Sequence, residues 1–286
     1  GKYVRSTVAI LAKFARRCGL DDPKNIDTAL VREYLADMIE TGVAIRTMHN
    51  HLSAIRQWCD YLVETGALKT NPAKRVRVRP PDDPIPIYLT ESELADALVA
   101  VESVGLFCET ALAAATGLRS SEMRLLRWDQ IDMDARGLFV RGKRGRVRQI
   151  PLSDLARESL LCRAAALVDT SYVFPGWRCS RDPSAVIDKP RSVRWWTSIS
   201  TKRLRSVIPA YARVRPGTTG NGWHLLRHTF ASHLVQRGVR IYKVAAWLGH
   251  SSVHTTRLYA HLSPGYDPDI ELVGRPKTGR QKGCRP

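Results

Sequence analysis

Apolar positions recur every three or four residues along most of the chain, the spacing of helices that bury one face. Val8, Leu11, Ala12 and Phe14 predict a first helix that ends near Gly19. Asp27 or Thr28 is placed to cap a second, with Leu30, Tyr34, Leu35 and Met38 as its buried stripe and Gly42 as its stop. Ile45, Met48, Leu52, Ile55, Cys59 and Leu62 predict a third over about 44–64. Its opposite face carries Arg46, His49, Asn50, Ser53, Arg56 and Gln57. That set fits a solvated face and a groove-facing one equally, because these side chains serve phosphates and base edges as well as water.

The helical pattern breaks at Asn71-Pro72. Lys74, Arg75, Arg77 and Arg79 alternate there with valines, and Pro80, Pro81, Pro84 and Pro86 follow. Proline fixes φ and lacks an amide donor, so this stretch should be extended and exposed. It serves as a linker, as a strap tracking a phosphate backbone, or as both. Thr90-Glu91-Ser92-Glu93 then restarts the helical pattern with a capping box. Helices are expected to about 115, over 120–128, and near 154–168, 190–212, 224–237, 240–247 and 253–261. Two strands, Leu138 to Arg141 and Val147 to Leu152, flank a turn at Gly142-Lys143-Arg144-Gly145. The expected organisation is a helical region over 1–73, a basic proline-rich linker over 74–89, a mixed region over 90–263 and a basic Gly/Pro-rich tail over 264–286.

Charge narrows the partner. Among 286 residues, 45 Lys and Arg face 27 Asp and Glu, a formal net charge of +18. Such a surface attracts polyanions, and phosphate neutralisation drives nucleic-acid binding by counterion release. No segment approaches the ~20 apolar residues of a membrane span. The cysteines at 18, 59, 108, 162, 179 and 284 form no C-x-x-C pair, which fits reduced thiols in a cytoplasmic protein better than zinc or a disulfide framework.

The second region concentrates the chemistry. Six of the eight histidines (224, 228, 233, 250, 254, 261) lie in its last part. Arg119, within Thr116-Gly117-Leu118-Arg119-Ser120-Ser121-Glu122, stands at a turn into a helix, where its planar fork can hold two phosphate oxygens. In His224-Leu225-Leu226-Arg227-His228, the residues at 224, 227 and 228 share one helical face. Two histidines at that spacing raise the question of zinc. Leu225 stands where a metalloprotease helix has its glutamate, and no third ligand is evident, so neither metal nor cofactor is expected. Leu248-Gly249-His250 follows, and Tyr259 comes nine positions after His250.

These motifs, in this order and spacing, resemble those of the tyrosine recombinases, the phage-integrase family. The resemblance spans about 90–262 as a catalytic domain, and the helical region before it looks like the family's core-binding domain. It implies a mainly α fold with a small β-sheet, arranged as a two-domain C-shaped clamp on double-stranded DNA. Arg119 and Arg227 would clamp the scissile phosphate, with Glu122 helping to hold an arginine. Lys143 would protonate the leaving 5′-oxygen, His224 would be an acid–base partner, and His250 would bond the phosphate. Tyr259 would attack to give a 3′-phosphotyrosyl link. DNA contacts are expected from Arg46, His49, Asn50, Arg56, Lys74, Arg75, Arg77, Arg79, Arg144 and Arg146. The family further implies a homo-tetramer at synapsis, an accessory directionality factor and a place on the nucleoid. Leu225 departs from the Asp the family often has there. A type IB topoisomerase shares this chemistry. A non-catalytic regulator using 240–257 as a helix–turn–helix has no use for the full set.

Overall fold

The computed structural model describes residues 2–79, 86–142, 145–166, 170–177, 186–214, 222–250 and 253–263. Lys143, Arg144 and the tail from 264 therefore lie outside the described residues. The chain divides into two compact units, Gly1–Asp83 and Pro84–Pro286.

The first unit is three helices: α1 (Lys2–Arg17), α2 (Thr28–Glu40) and α3 (Ile45–Glu64). The Asp27 carboxylate accepts the Leu30 amide at 2.7 Å and so starts α2. Phe14, Tyr34, Met38, Met48, Leu52, Ile55 and Cys59 form the core, with Phe14 edge-on to Tyr34 at 5.0 Å. Three expected positions are corrected. Val8 and Ala12 are exposed, because the packing face of α1 runs through Leu11 and Phe14 and is continued by Cys18 just past its end. In α2 the buried residues are Val31, Tyr34, Leu35 and Met38, while Leu30 is half-buried at the rim.

The basic stretch is not a free linker at its start. Ala73 and Val76 are buried in this core and Val78 packs against it, leaving Lys74, Arg75, Arg77 and Arg79 pointing outward. The polar face of α3 holds it in place. Arg56 donates to the Ala73 carbonyl at 3.1 Å and to the Val76 carbonyl, and His49 Nε2 pairs with the Arg79 carbonyl at 2.9 Å. Arg46 and Asn50 stay exposed.

In the second unit, the Thr90–Glu93 capping box forms as expected and opens α4 (Glu91–Ala100). The central helix is α5 (Phe107–Thr116), whose run of small residues, Ala113 to Ala115, allows close packing of other helices. A short α6 (Ser120–Arg124) leads to an antiparallel sheet of β1 (Ile131–Asp132), β2 (Gly137–Arg141) and β3 (Val147–Pro151), with Leu138 opposite Ile150. Then come α7 (Asp154–Ala165), α8 (Ser200–Val207), α9 (Trp223–Gln236), α10 (Ile241–Leu248) and a terminal 3-10 helix (Val253–Leu262). The helical stretch expected near 190–212 is present as a π-helical turn, Trp195–Ile199, then α8 and a 3-10 turn, Pro209–Arg213. The strand before it is not expected from the sequence: Val186–Pro190 is β5, paired with β4 (Pro175–Trp177). Pro190 excludes helical geometry before it, and a helical period does not resolve so short a strand. Trp196 and Trp223, with ring centroids 4.9 Å apart, fill the core beneath.

Candidate active site

The site is assembled around the C-terminal end of α10. A helix ends with unpaired carbonyls at the negative pole of its dipole, and cations satisfy both needs. Here three consecutive carbonyls bind three arginines. The Trp247 carbonyl accepts from Arg148 Nε at 2.8 Å, and the Leu248 carbonyl accepts from Arg227 at 2.7 Å and Arg119 at 3.4 Å. The Gly249 carbonyl accepts from Arg119 at 3.3 Å.

Two glycines permit this convergence. Gly117, at φ +62°, ends α5 and turns its carbonyl to Arg227 at 2.6 Å. A Cβ on Gly117 would lie 2.5 Å from a ring carbon of Phe230. Gly249, at φ +64°, ends α10, and a Cβ there would meet the Arg148 guanidinium at 2.9 Å. Both positions therefore need glycine for backbone and for space.

Glu122 ties the arginines together. Its carboxylate accepts the Arg119 amide at 2.8 Å, which opens α6, and the Arg119 guanidinium at 3.1 Å. Arg148 meets the same carboxylate with two nitrogens, at 3.0 and 2.8 Å. Burial alone would raise the Glu122 pKa, but the hydrogen bonds from Arg148 and the Arg119 amide bring it below the usual glutamate value. Three guanidiniums against one carboxylate leave two positive charges, suited to a phosphodiester that gains negative charge during displacement.

The sequence-predicted residues His224 and Arg227 share a face of α9, with Arg227 buried. Burial, with Arg119 next, lowers the Arg227 pKa to about 10, so it stays charged at neutral pH. His250 Nδ1 pairs with Thr256 Oγ1 at 2.8 Å, leaving Nε2 as its other polar atom. Burial, then Arg227, Arg119 and Arg148, push the His250 pKa down to about 4; burial and Arg227 also lower that of His224. Both shifts favour the neutral ring. Tyr259 is buried, and burial raises its phenol to about 12 against an opposing pull from Arg227. Its hydroxyl lies 2.6 Å from His228 Nδ1. Arg146, near the β2–β3 turn, is exposed.

Sequence reasoning misses two participants. Arg148 carries a signal: strand alternation places it on the same face of β3 as buried Ile150, and an inward arginine needs a partner. His228 reads from sequence only as a candidate metal ligand. Among the described residues, no three His, Cys, Asp or Glu gather as metal ligands would. Leu225, where the family often has Asp, is buried in the apolar core.

Residues 88–265 match the sequence model of the phage integrase family. The chain belongs to the phage integrase family. It is therefore a tyrosine recombinase, of the class that recombines DNA at specific sites. Tyrosine recombinase XerC of Xanthomonas campestris pv. campestris is 28% identical, over 97% of this chain and 83% of that protein. XerC of Pelotomaculum thermopropionicum is 29% identical, over 94% and 88%. Among solved structures, a lambda integrase dimer bound to a COC′ core site has the same fold, with a TM-score of 0.69 at 20% identity over 91% of this chain and 88% of that one. The Tn1549 transposon integrase in complex with transposon right end DNA also has a TM-score of 0.69, at 16% identity over 94% and 92%. Mainly helical with a small sheet, this family member has the fold its sequence implies.

Proposed function

We propose that this recombinase cleaves and rejoins duplex DNA through a 3′-phosphotyrosyl link on Tyr259. The observation that carries this reading is the convergence of Arg119, Arg227, His224, His250 and Tyr259, from separate segments, on the end of α10. Arg119 and Arg227 hold the non-bridging oxygens of the scissile phosphate. His250 Nε2 and the His224 ring bond the phosphate as charge builds. Lys143, which follows β2 in the sequence, protonates the departing 5′-oxygen. The phosphotyrosyl bond conserves the energy of the broken linkage, so resealing by the 5′-hydroxyl needs neither nucleotide nor metal.

DNA is held by cations of both units. Lys74, Arg75, Arg77 and Arg79 line one side of a stretch whose valines are anchored in a core, so their charges face solvent in a fixed row. Arg46 and Asn50 offer polar contacts from α3, with Arg144 and Arg146 at the turn. His49 and Arg56 act by fixing the stretch as well as by any contact of their own. The enzyme works on chromosomal DNA in the cytoplasm, as a homo-tetramer at synapsis, with an accessory factor setting direction.

Tyr259→Phe removes the nucleophilic oxygen and Arg119→Ala one phosphate clamp. A single preorganised donor to a developing anion is worth about 3–4 kcal/mol, roughly a hundred- to a thousandfold in rate. In a strand-exchange assay on DNA recovered by its affinity for the protein, Tyr259→Phe should give no product and Arg119→Ala a loss of that size, both with DNA binding retained. Supercoil relaxation at scattered positions would favour a topoisomerase instead. Normal exchange by Tyr259→Phe would refute the assignment.

A further inference from the structure

We propose that His228 is the general base of the cleavage step, taking the phenolic proton of Tyr259 on its Nδ1 as the tyrosyl oxygen attacks phosphorus. This rests on Tyr259 being the nucleophile.

The geometry is direct. His228 Nδ1 lies 2.6 Å from the Tyr259 hydroxyl, within the range for proton transfer to a positioned base. His228 stands one residue beyond Arg227 on α9, so the helix that presents a phosphate clamp also presents this nitrogen. Among the described residues the carboxylate of the cluster, Glu122, is engaged by Arg148 and Arg119. His228 is thus, among the described residues, the neutral basic group in hydrogen-bond contact with the phenol. Neutrality is enforced by surroundings: burial first, then His224 and Arg227 on the same helix, lower its pKa to about 4. His250 faces it from the turn after α10.

In this arrangement the proton rests on the phenol, whose pKa is about 12. DNA changes the balance. A phosphodiester anion against Arg227 and Arg119 offsets the charges that disfavour a protonated His228 and raises its basicity. As the Tyr259 Oη–P bond forms, the phenolic O–H bond breaks and its proton passes to Nδ1. The P–O5′ bond breaks and the 5′-oxygen takes a separate proton from Lys143. In rejoining, the 5′-hydroxyl returns a proton to Lys143, and the departing phenolate takes back the one on Nδ1. No oxidant, nucleotide or further reactant enters.

The test separates the nucleophile side from the leaving-group side. His228→Asn keeps a polar atom near the Nδ1 position but cannot accept a proton; His228→Gln is the second variant, and both are checked by thermal melting and DNA binding. Single-turnover covalent cleavage is measured on an ordinary nicked substrate and on one with sulfur replacing the bridging 5′-oxygen, whose thiolate leaves without protonation. The expected result is a loss of about a hundredfold or more, in the range of a positioned base, in the better-folded His228 variant on both substrates. Lys143→Ala, by contrast, should be restored by sulfur. Wild-type cleavage should also rise with pH through an ionisation that the variant lacks. Cleavage by either folded variant within a few-fold of wild type would overturn the inference. So would restoration by the sulfur substrate, because the missing group would then belong to the leaving oxygen. Absence of any adduct from wild type would instead remove the reading of Tyr259 on which this one rests.

Discussion

Arg148 and Glu122 show how one buried pair organises charges that would otherwise repel. Side-chain exposure is 12% for Arg148 and 14% for Glu122, so their ionic contact is largely shielded from water. Breaking such a pair by removing one partner costs about 3–5 kcal/mol. Arg148→Met should therefore lower the melting temperature and slow cleavage at least tenfold, because the Trp247 carbonyl and Glu122, the carboxylate that holds Arg119, both lose a neighbour that fixes them. The pH dependence has a definite sign. The folded-state pKa of Glu122 lies below its ordinary value, so its contribution to stability is present above that value and fades as pH falls through the lowered one. In Arg148→Met this acid-dependent contribution should shrink; an unchanged melting curve from neutral to acid pH would contradict the role given to the pair. Arg119, Arg227, His250 and Tyr259 were legible because motif order marks them. Arg148 was not, since its meaning depends on which way a strand faces and on a helix end 99 residues away.

Among the elements, α10 does more than its eight residues suggest. Its stop at Gly249 sets three carbonyls where three guanidiniums can reach them. Gly249→Ala meets two penalties, a left-handed backbone and a Cβ pressed against Arg148. Gly42, at φ +69° with open space for 4 Å around the point where a Cβ would sit, meets only the first. Gly42→Ala should cost about 1 kcal/mol, and Gly249→Ala visibly more, with a loss of cleavage that Gly42→Ala does not share. Equal effects in thermal melts and cleavage assays would show that the Arg148 contact does not matter. The capping box at Thr90 and the strands around the Gly142 turn were readable because their signals are local. The β4–β5 pair was not, because pairing across a gap in sequence, with a register shift at Pro175/Gly176, leaves no period to detect.

Across the whole molecule, the excess of 45 basic over 27 acidic residues has two distinct uses. Most of the named DNA candidates are exposed and suit long-range attraction, which salt screens. The arginines of the site are held by carbonyls and one carboxylate, and suit a single phosphate. The most direct test of the central claim is to trap the covalent complex on DNA, digest both polymers and identify the linked peptide and the linked end. Tyr259 joined to a 3′-phosphate, with a free 5′-hydroxyl on the other fragment, is the predicted result. A link through another residue, or to a 5′-phosphate, would contradict the mechanism.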